Sequence, residues 1–225
     1  METTKNMNHS AEKPVLVFAT HNPNKASEVQ QMLGDAYAIK TLTDIGCHEA
    51  IPETAETLEG NARIKAMHVV ENYGLDCFAD DTGLEVEALN GRPGVRTARY
   101  AGENADADQN MAKLLEELDG TEHRVAQFRT SICLVRGGVE ERVEGTCKGR
   151  IAQERSGADG FGYDPVFIPE GENRTFAEMS PAEKNAISHR ALACAQLLEM
   201  MRARWGLDTA SADTPLWPWQ DHPER

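Results

Sequence analysis

Several patterns are missing from this sequence, and each absence narrows the class of protein. It contains no internal repeat, no low-complexity tract and no apolar run long enough to cross a bilayer, and the polar segment Met1–Pro14 is unlike a secretory signal. Basic residues are few: 23 Lys and Arg stand against 37 Asp and Glu, for a net charge of -14. Broad contact with nucleic acid or an anionic membrane needs a cationic surface, so we expect neither partner.

The cysteines also lack a recognisable pattern. They are odd in number and scattered, with no C-x-x-C pair: Cys47, Cys77, Cys133, Cys147 and Cys194. Most of them lie inside apolar runs. This distribution predicts reduced, buried cysteines in a cytoplasmic protein.

The hydrophobic pattern predicts an α/β domain around a mixed, twisted sheet flanked by helices. The predicted strands are Val15–Thr20, Tyr37–Leu42, Cys77–Ala79, the alternating stretch Leu84–Leu89, a long antiparallel hairpin of Arg124–Val135 and Val139–Ile151, and Pro165–Ile168. The predicted helices run from the Asn22-Pro23 turn to Leu33 with a stop at Gly34, from Leu58 to Tyr73, from Asp106 to Gly120, and onward from Ser180. We expect one two-lobed domain over residues 14–206, between a flexible segment, 1–13, and an appended tail, Leu207–Arg225.

The turn Thr20–Lys25 joins a predicted buried strand to a helix. Such turns place backbone N–H groups and a lysine where a phosphate can bind. Neither a Walker A motif nor G-x-G-x-x-G is present, so an ordinary Asn-Pro-Asn turn is the alternative.

Asp80 and Asp81 end a predicted apolar strand. Since neighbouring strand residues point to opposite faces, we expect only one of them to face a given site. Paired acids at a strand end suit Mg²⁺, and a solvated turn is the alternative. A second carboxylate could come from Glu53, Glu56 or Glu59, which otherwise read as the acidic entrance to a helix.

Two further segments could contact a ligand. In Gly160–Pro165, glycines around Phe161 and Tyr163 would let the backbone approach a base on which an aromatic ring stacks; aromatic packing beside a tight turn is the alternative. Ser180–Arg190 opens a helix with a capping box and a proline at its first position.

The helix that begins after Ser180 is predicted to continue, because an apolar stripe follows at helical spacing: Ile187, Ala191, Cys194, Leu198 and Met201. Lys184, His189 and Arg190 lie off this stripe. Three basic side chains near a helix N-terminus would make a strong anion site, whereas a solvated face is the alternative for the triplet alone. Taken together, these parts suit a metal-bound nucleoside triphosphate.

In this combination the chain resembles the inosine triphosphate pyrophosphatases, also called dITP/XTP pyrophosphatases. The matching stretches are Ala19–Lys25, Thr57–Ala62, Ala79–Leu84, Pro93–Tyr100, Gly160–Pro165 and Ser180–Arg190. They occur in order between about Val15 and Leu198. The resemblance implies Mg²⁺-dependent hydrolysis of ITP, dITP and XTP to the monophosphate and pyrophosphate, by a homodimer with an elongated α/β fold and a cleft between two lobes.

The resemblance also implies roles for individual residues. Asp81 would be the catalytic acidic residue and a metal ligand, with Glu53 as a second ligand. Phosphate would be bound by Thr20, His21, Asn22, Pro23, Asn24 and Lys25, with Lys25 as the main cation. The remaining substrate contacts would come from Thr82, Phe161, Gly162, Tyr163, Asp164, Lys184, His189 and Arg190. Among these, Phe161 would stack on the base, and His189 and Arg190 would lie near the purine 6-oxo group.

This chain departs from the family pattern in two places. Glycine is frequent in the family where this chain has His21, and the Leu207–Arg225 tail has no counterpart. Two alternatives to the implied activity are a related pyrophosphatase acting on modified pyrimidine or 7-methylguanine nucleotides, and a nucleotide sensor without catalysis.

Overall fold

Strands from the whole length of the described chain join one mixed sheet in the computed structural model, which describes residues 15–33 and 37–205. The strands are β1 (Val15–Phe18), β2 (Ala38–Thr41), β3 (Cys77–Val86), β4 (Pro93–Gly94), β5 (Val125–Arg136), β6 (Val139–Ile151) and β7 (Phe167–Pro169). Their order is β2-β1-β3-β5-β6-β7, with β4 paired to β3. β1 runs parallel to β2 and β3, and the other pairs are antiparallel. The predicted α/β class with a mixed sheet and a long hairpin is confirmed.

The helices begin and end at residues with clear local causes. They are α1 (Pro23–Leu33), α2 (Leu58–Tyr73), α3 (Ala107–Glu117), α4 (Pro181–Ile187) and α5 (His189–Trp205). Thr57 caps α2, and Gly74 ends it in a left-handed conformation, so the predicted bounds are correct. Complete capping boxes at Asp106 and Ser180 begin α3 and α4.

Alternation along β1 and β3 divides the core between the two faces of the sheet. Leu16, Phe18 and Phe78 pack with α1 and α5 in one cluster. Their neighbours Val17 and Cys77 pack with α2 in another. Each face of the central strands is therefore covered by different helices. Because side chains alternate along this part of β3, even-numbered residues face α1 and α5, and odd-numbered residues face α2.

The other end of the sheet has a third core cluster. The ring centre of Phe128 in β5 lies 4.7 Å from that of Phe167 and 6.5 Å from that of Phe176. The apolar side of α3, through Met111 and Leu114, packs on the same cluster. The long hairpin β5-β6 thus links this end to the central strands.

Several predicted boundaries were wrong. β1 ends at Phe18 instead of Thr20, and α3 ends at Glu117 instead of Gly120. Cys77–Ala79 and Leu84–Leu89 are not separate elements, because β3 pairs with β5 without interruption from Cys77 to Val86. Pro165–Ile168 begins with a 3₁₀ turn, so β7 starts only at Phe167. The helix predicted after Ser180 is broken at Ser188, whose extended backbone lets Ile187 and α5 pack on different clusters.

Some predictions concern residues that the structure leaves undescribed. The segment 1–13, the stop at Gly34 and the tail Leu207–Arg225 lie outside the described residues. The two-lobed domain over 14–206 stays a prediction. None of the described helices combines the length and apolar character needed to cross a bilayer. All five cysteines are buried free thiols, as the sequence predicts.

Candidate active site

Distant segments of the chain meet around a cavity of about 300 Å³ beside the middle of β3. The predicted site residues that line it are Asn22, Lys25, Glu53, Asp81, Thr82, Phe161, Gly162, Tyr163, Asp164, Lys184, His189 and Arg190. All four segments that the sequence singled out contribute residues to the lining of this cavity: Thr20–Lys25, Asp80–Asp81, Gly160–Pro165 and Ser180–Arg190. The structure therefore brings together residues up to 168 positions apart, from Asn22 to Arg190.

The rest of the predicted phosphate turn does not line this cavity. Thr20 is buried, and its hydroxyl accepts a hydrogen bond from the Asn22 N–H at 3.0 Å. The side-chain oxygen of Asn22 in turn accepts from the N–H groups of Asn24 and Lys25, at 2.9 Å and 3.3 Å. These N–H groups therefore bond within the turn, and Asn22 and Lys25 are its two residues that line the cavity.

Pro23, Asn24 and His21 lie on the outer side of the same turn. Pro23 is the first residue of α1, and Asn24 lines a neighbouring surface depression. His21 is exposed, with its Nε2 3.1 Å from the carbonyl oxygen of Glu49. The His21 side chain therefore contacts the loop before α2 and does not line the cavity.

The two aspartates of β3 point to opposite faces, as their alternation predicts. On the α1 and α5 face, Asp80 belongs to a buried network that alternates cation and carboxylate: Lys25, Asp80, Arg190, Glu28, Lys184 and Asp164. Lys25 Nζ and Arg190 Nε lie 2.8 Å and 3.1 Å from the two oxygens of Asp80. Arg190 Nη1 and Lys184 Nζ lie 2.6 Å and 3.0 Å from the two oxygens of Glu28.

This network changes the expected electrostatics of the site. Burial disfavours the charged form of Asp80, but the charges of Lys25 and Arg190 outweigh it and hold the pKa of Asp80 below its usual range. The cations and carboxylates of the network are equal in number, so they balance one another. Carboxylates pair Lys184 and Arg190, so these two side chains add no net positive charge, and the anion site that the sequence predicts around them stays a prediction.

Asp81 meets the α2 face and has weaker partners. Asn61 Nδ2 donates to Asp81 Oδ2 at 3.1 Å, and Lys65 Nζ lies 3.7 Å from Asp81 Oδ1. The same ammonium lies 2.5 Å from Glu53 Oε1. Burial raises the pKa of Asp81, the nearby Glu53 charge adds to the rise, and Lys65 opposes it.

The carboxylates of Asp81 and Glu53 form a donor set that fits Mg²⁺. One ammonium group contacts both of them, so the space between them already attracts positive charge. Mg²⁺ prefers hard oxygen ligands and uses one or two carboxylates together with substrate phosphates. Sequence reasoning missed Lys65 and Asn61, although their spacing of four places them on one face of α2 among its buried residues.

The opposite wall of the cavity carries aromatic rings. His189 is buried and stacks on Phe128 with ring centres 4.5 Å apart. Burial, together with the charges of Arg190 and Lys184, lowers the pKa of His189 well below its usual value. His189 is therefore a neutral ring at pH 7 rather than a third cation. Its Nδ1 is buried and has no hydrogen-bond partner among the described residues.

The glycine-rich loop holds Phe161 at the mouth of this wall. Lys184 Nζ lies 4.7 Å from the centre of the Phe161 ring, a cation–π distance. Asp164 Oδ2 accepts hydrogen bonds from the Phe161 N–H and from Lys184 Nζ, both at 2.8 Å. Gly160 has φ +79°, and an added Cβ would collide with the Asp164 carboxylate, so a larger residue would strain the backbone and displace that side chain.

Tyr163 and the start of α5 are fixed by packing. The Tyr163 hydroxyl donates to the Thr97 carbonyl at 3.0 Å, and the residue is mostly core. The first turn of α5 rests on Gly145 of β6, where an added Cβ would collide with the His189 carbonyl and the Ala193 amide. His189 is thus positioned through its own backbone as well as its ring.

Comparison with known proteins places this fold and cavity in a family. The model of the Ham1 family matches residues 16–200, and the chain belongs to that family. The dITP/XTP pyrophosphatase of Porphyromonas gingivalis is 56% identical over 187 residues, which are 83% of this chain and 96% of that protein. That of Flavobacterium psychrophilum is 54% identical over 187 residues, or 83% and 98% of the two chains. The solved structure of a HAM1 protein from Coxiella burnetii superposes with a TM-score of 0.77 at 39% identity, over 84% of this chain and 99% of that one.

Proposed function

We propose that this protein hydrolyses dITP, XTP and ITP to the nucleoside monophosphate and pyrophosphate, and so removes deaminated purines from the nucleotide pool. Its enzyme class, nucleoside triphosphate pyrophosphatase, is the one named for relatives that match over nearly their whole length. The observation that carries the proposal is that Lys25, Asp81, Phe161 and Lys184 line the same cavity.

The proposed reaction is an in-line attack of water on the α-phosphorus. The water oxygen forms the new bond, the bond from the α-phosphorus to the bridging oxygen breaks, and pyrophosphate leaves. Asp81, which lines the cavity beside Glu53, would accept the water proton. Lys25, whose ammonium is paired with Asp80, lines the cavity and would contact the leaving pyrophosphate.

A divalent cation is part of the proposal. Asp81 and Glu53 would hold Mg²⁺, which when bound supplies positive charge to the triphosphate. The balanced network on the other face of β3 supports this requirement, because its cations are already paired with carboxylates. The net charge of -14 makes the need for local positive charge greater.

Base selectivity would come from the buried wall. A neutral His189 carries one ring N–H, and as a cavity-lining residue it would donate this hydrogen bond to the 6-oxo group of a deaminated purine. Adenine presents a 6-amino donor at that position, which would leave the buried imidazole N–H unpaired. The stacking partner of the base would be Phe161.

A substrate panel tests this function. Pyrophosphate release would be measured with dITP, XTP, ITP, GTP and ATP, with and without Mg²⁺. We expect kcat/KM to be highest for the 6-oxo, deaminated purines and to vanish after chelation of the metal. Equal turnover of ATP and ITP would contradict the selectivity. Turnover only of a modified pyrimidine or 7-methylguanine nucleotide would identify a related enzyme, and tight ITP binding without turnover would identify a sensor.

We also propose that the protein is a cytoplasmic homodimer. The buried free thiols support a reducing compartment. Light scattering of the purified protein would give the mass in solution, and a monomer at micromolar concentration would contradict the dimer.

A further inference from the structure

A second group of metal-ligating side chains lies on the α2 side of the sheet, outside the substrate cavity. It consists of Cys47, Glu49 and His68, whose ligand atoms all lie within 4.8 Å of one another. Cys47 Sγ is 3.9 Å from His68 Nε2, and His68 Nε2 is 3.2 Å from Glu49 Oε1. None of the three lines the cavity described above.

The chemistry of this group differs from that of Asp81 and Glu53. A thiolate, an imidazole and a carboxylate are the ligand types that Zn²⁺ accepts, whereas Mg²⁺ prefers oxygen alone. Tetrahedral ligands at ordinary Zn–S, Zn–N and Zn–O lengths are separated by about 3.3–3.6 Å. The two measured separations lie on either side of that range. Small side-chain rotations would bring all three atoms onto one ion.

The fold holds Cys47 and His68 in fixed positions and leaves Glu49 accessible to an ion from solvent. Cys47 is fully buried, and its N–H bonds the Leu42 carbonyl at 2.9 Å, so its position is fixed. His68 lies on α2 with Nδ1 facing the side chain of Asn72, one turn further on, and Nε2 facing the other two ligands. The Glu49 side chain is 55% exposed, which leaves an approach from solvent for an ion and for a water ligand.

We propose that Cys47, Glu49 and His68 bind a single Zn²⁺ ion, with water as the fourth ligand. Binding converts the Cys47 thiol to a thiolate and releases its proton to solvent. The ion would join the loop before α2 to the helix itself. Because the His21 ring contacts the Glu49 carbonyl, the same link would extend to the Thr20–Lys25 turn. The sequence spacing gave no sign of the site, since its ligands come from a loop and a helix about twenty residues apart.

Zinc titration of the full-length protein tests the proposal. Metal-free protein, kept reduced, would be titrated with Zn²⁺ in competition with a chromophoric chelator and in the presence of excess Mg²⁺. We expect one equivalent to bind, and the affinity to fall roughly tenfold or more in each of Cys47→Ser, Glu49→Gln and His68→Gln. Co²⁺ in place of Zn²⁺ should give a thiolate charge-transfer absorption that disappears in Cys47→Ser.

Matched controls come from the same chain. His123 and Glu87 form an exposed imidazole–carboxylate pair at 2.9 Å, so His123→Gln should leave Zn²⁺ affinity unchanged. Cys147→Ser removes a buried thiol outside the group and should also leave it unchanged. Repeating the titration in an Asp81→Asn background should give the same stoichiometry, because that substitution disables only the oxygen site.

Three results would overturn the proposal. The first is equal Zn²⁺ affinity in the parent, Glu49→Gln and His68→Gln; both positions are at least partly exposed, so this comparison does not depend on how well Cys47→Ser folds. The second is the absence of the Co²⁺–thiolate absorption in the parent protein. The third is loss of the bound equivalent in the Asp81→Asn background, which would assign the ion to the substrate cavity.

Discussion

Asp80 and Asp81 are neighbours in β3, yet they lie in different environments. Asp80 faces α1 and α5, is 2% exposed and is bonded on both oxygens by Lys25 and Arg190. Asp81 faces α2 and borders the cavity; it accepts hydrogen bonds from Asn61 Nδ2 and the Thr82 N–H, and the Lys65 ammonium lies further away, at 3.7 Å. The pKa of Asp80 is lowered and that of Asp81 is raised. One strand thus separates a carboxylate that stabilises the fold from one that is suited to accept a proton.

The largest effect is expected from Asp80→Asn. Removing this charge leaves Lys25 and Arg190 buried with fewer partners, which should lower the free energy of unfolding by about 3–5 kcal/mol. Urea denaturation in metal-free buffer measures it. Asp81→Asn is the matched control, because it removes a carboxylate whose charged form burial disfavours, and it should be at least as stable as the parent. Equal stability of Asp80→Asn and the parent would contradict the structural role of the network.

Asp81→Asn should have its effect on catalysis instead. Loss of the proposed proton acceptor and metal ligand should lower kcat for ITP roughly 100-fold, or about 2.7 kcal/mol in activation free energy. Steady-state pyrophosphate release measures this. Asp119→Asn, an exposed aspartate after α3 that does not line the cavity, provides the control and should keep full activity. A loss of less than about tenfold in Asp81→Asn would remove it from the proposed mechanism.

His189→Phe tests whether the side of β3 that Asp80 faces contributes to base selectivity. The substitution keeps a ring stacked on Phe128 but removes both ring nitrogens. We expect the ratio of kcat/KM for dITP over dATP to fall about tenfold, which corresponds to one lost hydrogen bond in a buried site. The measurement is the same ratio in parent and variant. An unchanged ratio would mean that selectivity resides elsewhere in the cavity.

A further prediction concerns pH. The pKa of His189 is well below its usual value in the folded state, mainly through burial. Unfolding restores a pKa near 6.5, so the unfolded chain binds a proton that the folded one does not. Stability from this group is complete above that pH and falls as the pH drops, by up to about 1.4 kcal/mol per unit. Urea denaturation between about pH 7 and 5 should show a shallower slope in His189→Phe, whereas His123→Gln should retain the parent slope.

The sequence predicted those features that follow from local rules. Strict alternation in a strand separates Asp80 from Asp81, and caps at Thr57 and Gly74 set the ends of α2. Local reasoning failed at Ser188. The apolar spacing continues from Ile187 into α5, but the helix is broken between them, and Ile187 and α5 pack on different core clusters. Pattern reasoning also treated Lys184 and Arg190 as unpaired cations that are available to an anion. Their pairing with Glu28, more than 150 positions earlier, arises only when α1 packs on α5.

The close packing of α5 against Gly145 affects which mutations can change substrate preference. A methyl group at that position would collide with the backbone of residues 189 and 193 and displace the first turn of the helix. His189 and Arg190 would shift together, although position 145 itself does not line the cavity. A random-mutagenesis screen for altered nucleotide preference should therefore recover Gly145 variants, and structure-guided libraries limited to the cavity wall would overlook them.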